Sequence, residues 1–340
     1  MKYLLLSALA VLTVSCNSAQ NASKNSSIKN LTRIDYAQTI TAQDLSTHLY
    51  KFADDAMQGR MTGSEGQKMA AEYLKDFYLA EGISAPLGDG DYYQEIPADY
   101  FRRMRKAQDS ENVVAFIKGS EKPEEVIVLS AHYDHVGTDD DGNVYNGADD
   151  DGSGTVAMLE IAQAFQKAVN NGHGPKRSIL FLHVTGEEIG LYGSKFYTEN
   201  PIFPLENTVC NLNTDMIGRI DPNKAENPNY VYLIGSDRLS QELHDVSEAV
   251  NNEYINLELD YTFNAEDDPN RFYYRSDHYN FAKNNIPIIF YFNGVHEDYH
   301  KPTDTPDKIE YDLLAKRTQL IFQTTWEIAN REGRITADKL

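Results

Sequence analysis

Six acidic and histidine side chains in five short segments make up a set that could bind two metal ions and still leave one base free. They are His132 in SAHYDHVG, Asp150 in GADDDGSG, Glu187 and Glu188 in VTGEEIG, Asp215 in NTDMIG and His300 in DYHKPTDT. Imidazole and carboxylate are ligands suited to zinc. A hydrolase with two such ions needs one carboxylate shared between them and one acidic group left to move protons. Any one of these segments would be commonplace; the weight lies in finding all of them, each beside a predicted strand.

The local spacing adds detail. His132 and Asp134 are two residues apart, so in an extended segment they face the same side. The Asp134 carboxylate could then accept the free ring N–H of His132 and fix its tautomer, as metal-bound histidines require. Asp150 lies in a glycine-flanked loop that opens a helix, where a carboxylate can reach both ions. The adjacent Glu187 and Glu188 need not point the same way. One can ligate while the other, Glu187, takes a proton from water and passes it to the leaving amine.

A sheet must position these groups. The apolar runs NVVAFI, VIVL, ILFLHV, TVCNL, VYLIG and IPIIFYF read as strands, several of them apolar throughout, as strands covered on both faces are. Helical spacing marks 44–77 (Met69, Ala70, Tyr73, Leu74, Phe77), with GRMTGSEG as a glycine-rich turn ending near the site. It also marks 153–169 (Met158, Ala162, Phe165, Val169) and about 307–329 (Leu314, Ile321, Phe322, Ile328). Strands alternating with helices predict an α/β fold, a three-layer α/β/α arrangement with a mixed, mostly parallel central sheet. In such sheets ligands bind beyond the carboxyl ends of the strands. His132 follows VIVL, the Glu pair follows ILFLHV, Asp215 follows TVCNL, and His300 lies in the loop after IPIIFYF, so distant segments converge on one edge. Residues 219–275, rich in Asn, Asp, Glu and Tyr, read as an insertion with one strand, one helix and long loops that lid the site.

With 41% hydrophobic and 24% charged residues among 340, the chain is globular in composition. A formal net charge of -21 argues against nucleic acid as a partner and disfavours strongly acidic substrates. Lys2 and the apolar run 3–14, too short to span a bilayer, have the shape of a secretory signal. Ser15-Cys16 resembles a bacterial lipoprotein cleavage site, with Thr13 where Leu is usual. The expected organisation is a signal at 1–16, a flexible tether at 17–35 and a single domain at 36–335. A lipid on Cys16 would be the only membrane contact. It would hold the protein in the envelope of a Gram-negative bacterium, in the periplasm or at the outer membrane, with simple secretion as the alternative. The second cysteine, Cys210, sits in an apolar run and is expected in the core, with no internal disulfide.

These segments resemble peptidase family M28, a family of zinc aminopeptidases and carboxypeptidases. The resemblance runs from about residue 44 to 326 and includes GRMTGSEG and AAEYLKDFYLAEGI. It implies the zinc exopeptidase fold, peptide substrates and two Zn2+ ions per chain, with Co2+ or Mn2+ able to substitute. His132 and Asp215 would hold one zinc, Glu188 and His300 the other. Asp150 would bridge them, with Asp149 or Asp151 as alternatives, Glu187 would be the general base or acid, and Asp134 would support His132. Removal of amino acids from peptide N-termini is the expected activity. The rivals are glutaminyl cyclisation with one zinc, an amidase or deacylase, a non-catalytic binding domain, and a carboxypeptidase reading the substrate carboxylate through Arg271 or Arg275. Asp277 and His278 in YRSDHYNF lie near the site in that family and are expected to touch substrate or support the ligands. His135 is expected in a structural or supporting role, His183 in the core, and His296 as a weaker competitor to His300. Asp139, Asp140 and Asp141 with Gly142 do not complete an EF-hand spacing and read as a solvated acidic loop. The aromatic residues between 254 and 292 could line a pocket or the core.

Overall fold

The structure, a computed structural model, describes residues 31–102 and 107–340. The expected signal and lipid-bearing Cys16 lie outside the described residues, as does the tether up to residue 30. Among the described residues no helix is long and apolar enough to cross a membrane.

Eight strands form one sheet: β1 (Tyr93–Ile96), β2 (Ser110–Ile117), β3 (Lys122–His132), β4 (Arg177–Val184), β5 (Thr208–Thr214), β6 (Tyr230–Ile234), β7 (Glu258–Asp260) and β8 (Ile288–Phe292). Their order is β1-β2-β4-β3-β5-β8-β6-β7. The centre, β4-β3-β5-β8, is parallel, and antiparallel pairs β2/β4 and β8/β6 flank it. In register, Leu129 lies opposite Phe181 on one side and Leu212 on the other, and Leu212 lies opposite Ile289. These four share one apolar cluster, while Val128, Leu180, Ile288 and Phe290 belong to a second on the opposite face. Successive side chains point to opposite faces of a strand, so both layers demand apolar residues and the runs are uninterrupted.

The first face is covered by α1 (Arg33–Ala37), α2 (Ala42–Phe52), α3 (Glu65–Glu81), α4 (Gly154–Asn170), α6 (Gln241–Val250) and α8 (Tyr311–Asn330). The second is covered by α5 (Tyr192–Glu199), α7 (His278–Ala282) and aromatic side chains of the segment before α7. The layered expectation therefore holds, and the stripes Met158–Ala162–Phe165 and Leu314–Ile321–Phe322–Ile328 are buried, while Val169 at the end of α4 is partly exposed.

Three boundaries differ from the sequence reading. The helix expected over 44–77 is two helices separated by a tight turn, because Gln58, Gly59, Arg60 and Gly63 take left-handed φ values. A Cβ on Gly59 would meet the Gly137 carbonyl oxygen at 2.1 Å, so only glycine lets this turn press against the loop after β3. The ordered fold begins before residue 36: Thr32 and Asp35 form a capping box for α1, and Arg33 reaches Gln323 (2.6 Å) and Glu327 (2.8 Å) on α8. Residues 219–275 are not a lid as a whole. β6 and β7 extend the sheet beyond β8, and α6 buries Leu243 and Val250 in the main cluster, so only the stretch around Phe272 and Arg275 borders the site. Cys210 is fully buried in β5, and burial pushes its thiol up to about 12, as expected for a core residue.

Candidate metal centre

The parallel strands deliver the six groups to one place. His132 ends β3, Asp215 follows the last residue of β5, the Glu pair stands just past β4, and His300 lies on the loop after β8. Asp150 comes from the turn that opens α4.

His132 Nε2 lies 3.1 Å from Asp150 Oδ1 and 3.7 Å from Asp215 Oδ1. His300 Nε2 lies 3.0 Å from Asp150 Oδ2 and 3.0 Å from Glu188 Oε2. Asp150 thus turns one oxygen to each group, the disposition of a bridge. Zinc with bonds of about 2.0–2.2 Å and tetrahedral angles would hold its ligand atoms about 3.3–3.6 Å apart, close to these separations. His132 Nε2 and Glu188 Oε1 are buried without an aligned hydrogen-bond partner. Buried polar atoms are rarely left so, and nitrogen and oxygen atoms that crowd together without bonding one another suit a shared cation. The residues present therefore fit a pair of metal ions.

The electrostatics agree. Burial alone would raise Asp150, but His132, His300 and His135 hold it well below the usual carboxylate range. Burial opposes protonation of His300, yet Asp150 and Glu188 push it up to about 10. Burial, together with the charges of Asp215, Glu188 and Asp277, raises Glu187 well above the ordinary glutamate value against the pull of His132. A divalent cation among these groups would oppose the raised proton affinity of His300 and Glu187 and would hold Asp150 ionised. Among the described residues the Glu187 carboxylate makes no hydrogen bond; it lines the cavity beside the centre.

Asp134 differs from expectation. Its backbone oxygen, at 3.0 Å, meets His132 Nδ1, while its carboxylate stays 3.7 Å away. The chain bends after β3, and the carboxylate instead accepts the Thr62 hydroxyl (2.8 Å) and the Glu187 N–H (3.2 Å). It holds the backbone of the proposed base. Asp277 is buried against Ser194, and burial with the charges of Asp215 and Asp134 lifts it to about 7. His278 does not touch the cavity. Its Nε2 donates to the Tyr273 carbonyl (2.8 Å), its ring stacks on Phe290 (4.6 Å), and burial lowers it to about 3, so it is neutral packing behind the wall. His296 faces Asp149 Oδ2 at 3.1 Å and not the metal groups, and His183 is a core residue bonded to the Tyr78 hydroxyl (2.7 Å). Asp139 folds the acidic loop on itself through the N–H groups of Asp141 and Asn143.

Sequence reasoning missed Asp304 and Arg60, and it named Asp151 only as an alternative bridge. Asp151 has one oxygen bound by the N–H groups of Met216 and Gly154 (3.0 Å each) and the other unpartnered, and it groups with His132 and Asp215. Asp304 accepts the N–H groups of Asp149 (3.0 Å) and Asp150 (3.2 Å). Arg60 is fully buried and donates to the carbonyls of Phe52, Tyr133, Asn146 and Gly147 at 2.6–3.2 Å, strapping the His132 loop to the Asp150 loop. Burial lowers its guanidinium to about 10, so it stays charged. The one sequence signal was an arginine inside a glycine-rich turn. His135, expected in a supporting role, is buried with Nδ1 2.7 Å from Glu188 Oε1.

The cavity beside the centre has Asp150, Glu187 and Asp215 on one side and Met216, Phe272, Phe290, Phe292 and Val295 as apolar wall, with Arg275 and Tyr299 also lining it. Tyr299 stacks on His300 at 3.9 Å, and burial with the nearby carboxylates raises its hydroxyl, which stays protonated.

Comparison with known proteins agrees with this geometry. A sequence profile of peptidase family M28 matches residues 112–325. A probable zinc metalloprotease of Pyricularia oryzae is 28% identical over 267 residues, 66% of this chain and 51% of that protein, so the chain spans about half the length of such relatives. A zinc aminopeptidase from Bacillus subtilis superposes with a TM-score of 0.65 at 16% identity, covering 88% of this chain and 98% of that one. The Porphyromonas gingivalis glutaminyl cyclase superposes with a TM-score of 0.66 at 17% identity, covering 84% and 97%. At such identities the structural likeness speaks for the fold.

Proposed function

The chain belongs to peptidase family M28, and from that premise we propose that it is a two-zinc aminopeptidase, removing residues from the N-termini of peptides. The observation that carries the reading is Asp150 shared between a His132–Asp215 group and a His300–Glu188 group, with the unbonded Glu187 carboxylate beside them.

When bound, zinc would supply Lewis acidity toward the scissile carbonyl and make water acidic enough to attack near neutral pH, at a pKa of about 7. His132, Asp150 and Asp215 would hold one ion, and Asp150, Glu188 and His300 the other. The protein does the rest. Glu187 takes the proton of the attacking water and returns it to the departing amine. Among the described residues its carboxylate makes no hydrogen bond, and it faces the cavity beside the proposed ligands, which leaves it free for that exchange. Asp134 keeps Glu187 in place through its backbone N–H. Tyr299, protonated and on the cavity wall, can donate to the developing oxyanion. The carboxylates of Glu187 and Asp215 favour the positive charge of a free N-terminus, and the apolar wall favours an apolar first side chain. Arg275 stands at the same cavity, but a carboxylate-rich floor makes it a poor place for a substrate carboxylate, which disfavours the carboxypeptidase reading. Export, with a lipid on Cys16, remains part of the proposal, and a Cys16→Ser protein should lose membrane association.

The test is amino-acid release from matched free and N-acetylated peptides, with a chelator control. Chelator-sensitive release from the free peptides alone is expected. Equal release from both would overturn the aminopeptidase reading. The likeness to a glutaminyl cyclase supports a second reading, so peptides with N-terminal glutamine belong in the panel. Loss of ammonia with ring closure, and no hydrolysis, would select it.

A further inference from the structure

The second metal position contains one more histidine than the five ligands assigned above. His135 is fully buried, and its Nδ1 stands 2.7 Å from Glu188 Oε1 and 3.9 Å from Asp150 Oδ2. Despite that proximity, neither Nδ1 nor Glu188 Oε1 has an aligned hydrogen-bond partner. The two atoms crowd each other without bonding, as His132 Nε2 and Asp150 Oδ1 do at the first position. Ligand atoms of His135, Asp150 and Glu188 all lie within 4.8 Å of one another. The rings of His135 and His300 have centroids 5.6 Å apart at 71°. Two imidazoles bound to one ion stand at about that separation, since each ring centre lies about 3 Å from a zinc held at about 2.0–2.1 Å.

The backbone is built to keep the ring there. The His135 N–H donates to the Arg60 carbonyl (3.2 Å), and the ring lies against Gly147, where a Cβ would come within 2.5 Å of the imidazole. Gly147 also has a φ of 53°, a left-handed value that glycine takes without strain.

We propose that His135 is a fourth protein ligand, through Nδ1, of the ion held by Asp150, Glu188 and His300. The His135 position is then filled by four protein groups, three of them besides the shared Asp150, and binds its ion tightly. Zinc sites with four protein ligands are typically structural, and those with three leave a catalytic opening. The inference rests on the two-metal reading of the site.

Zinc affinities of the full chain, measured by competition with a chelating indicator, test it. Wild type should bind two ions, one tightly. His135→Leu should keep one ion at its wild-type affinity and bind the other at least about 100-fold more weakly, beyond the 10–100-fold typical of losing a group outside the coordination sphere. His300→Leu should weaken the same ion, so the double variant should lose no further one. Unchanged affinities in His135→Leu would overturn the proposal. Should that variant not fold, X-ray absorption of the loaded wild type decides. Three imidazoles per two zincs are expected, and two would overturn the assignment. A wild type that binds a single zinc would refute the two-metal reading instead. The imidazole count in His135→Leu would still decide about His135, with one fewer than in wild type expected and an unchanged count overturning the proposal.

Discussion

The two ends of the central strands bury charge on different terms. At the amino end, Arg177 opens β4 fully buried, and each of its nitrogens has an acceptor. Nε meets Glu125 (2.5 Å), Nη1 the Ile328 (2.9 Å) and Arg331 (2.6 Å) carbonyls, and Nη2 the Glu332 carbonyl (3.2 Å). At the carboxyl end, His132 Nε2, His135 Nδ1, Asp151 Oδ2 and Glu188 Oε1 are buried with no hydrogen bond. An unpartnered buried polar group costs about 1–3 kcal/mol. The amino end satisfies this charge within the protein, whereas the unpartnered atoms at the carboxyl end are those the proposed metal ions would engage. Stability and function are divided between the ends of one sheet.

The sharpest way to separate the ends is Glu187→Gln. It should leave zinc content and folding intact while lowering kcat by about 10²–10⁴-fold, the usual contribution of a general base. Loss of zinc in that protein would mean that Glu187 and Glu188 have exchanged roles. Next in size is Arg177→Met, which breaks the satisfied end and should lower stability by about 3–5 kcal/mol. Denaturant melts should give the same loss with zinc or with chelator, and a zinc-dependent loss would dissolve the contrast. Zinc itself should stabilise the wild type by about 2.7 kcal/mol per site at a hundredfold excess over Kd. Thermal melts against zinc concentration check this, and a flat response would remove the carboxyl end's dependence on a ligand. The smallest effect is expected from Thr62→Val, which removes one hydrogen bond to Asp134. It should cost about 0.5–1.5 kcal/mol and lower kcat more than it raises KM, because Asp134 orients Glu187.

Much of this was legible in the chain. The apolar runs revealed the central strands because both faces of each are covered. Most of the candidate ligands were legible because they stand at or beyond a strand end, where an open parallel sheet gathers its loops, and Asp150 because its glycine-flanked loop opens a helix. What stayed hidden depends on contacts that leave no mark on side-chain type. Arg60 works through four carbonyl oxygens, which every residue has. Asp134 was read from strand alternation, but the backbone turns just after β3 and presents its carbonyl to His132 instead. The same turn carries His135 to Glu188, away from the face that alternation would assign it. β6 was read as the strand VYLIG, but the short, partly exposed β7 left no apolar run, so the continuation of the sheet beyond β8 looked like a lid.

Asp304 has a consequence for modularity. It shares a loop with His300, yet it holds the N–H groups of Asp149 and Asp150. The segment after β8 thus carries one proposed ligand and the fastening of another. A loop exchanged between relatives to alter specificity would have to bring its own Asp304 in register, or the transplant would unseat the bridge while leaving every ligand in the sequence.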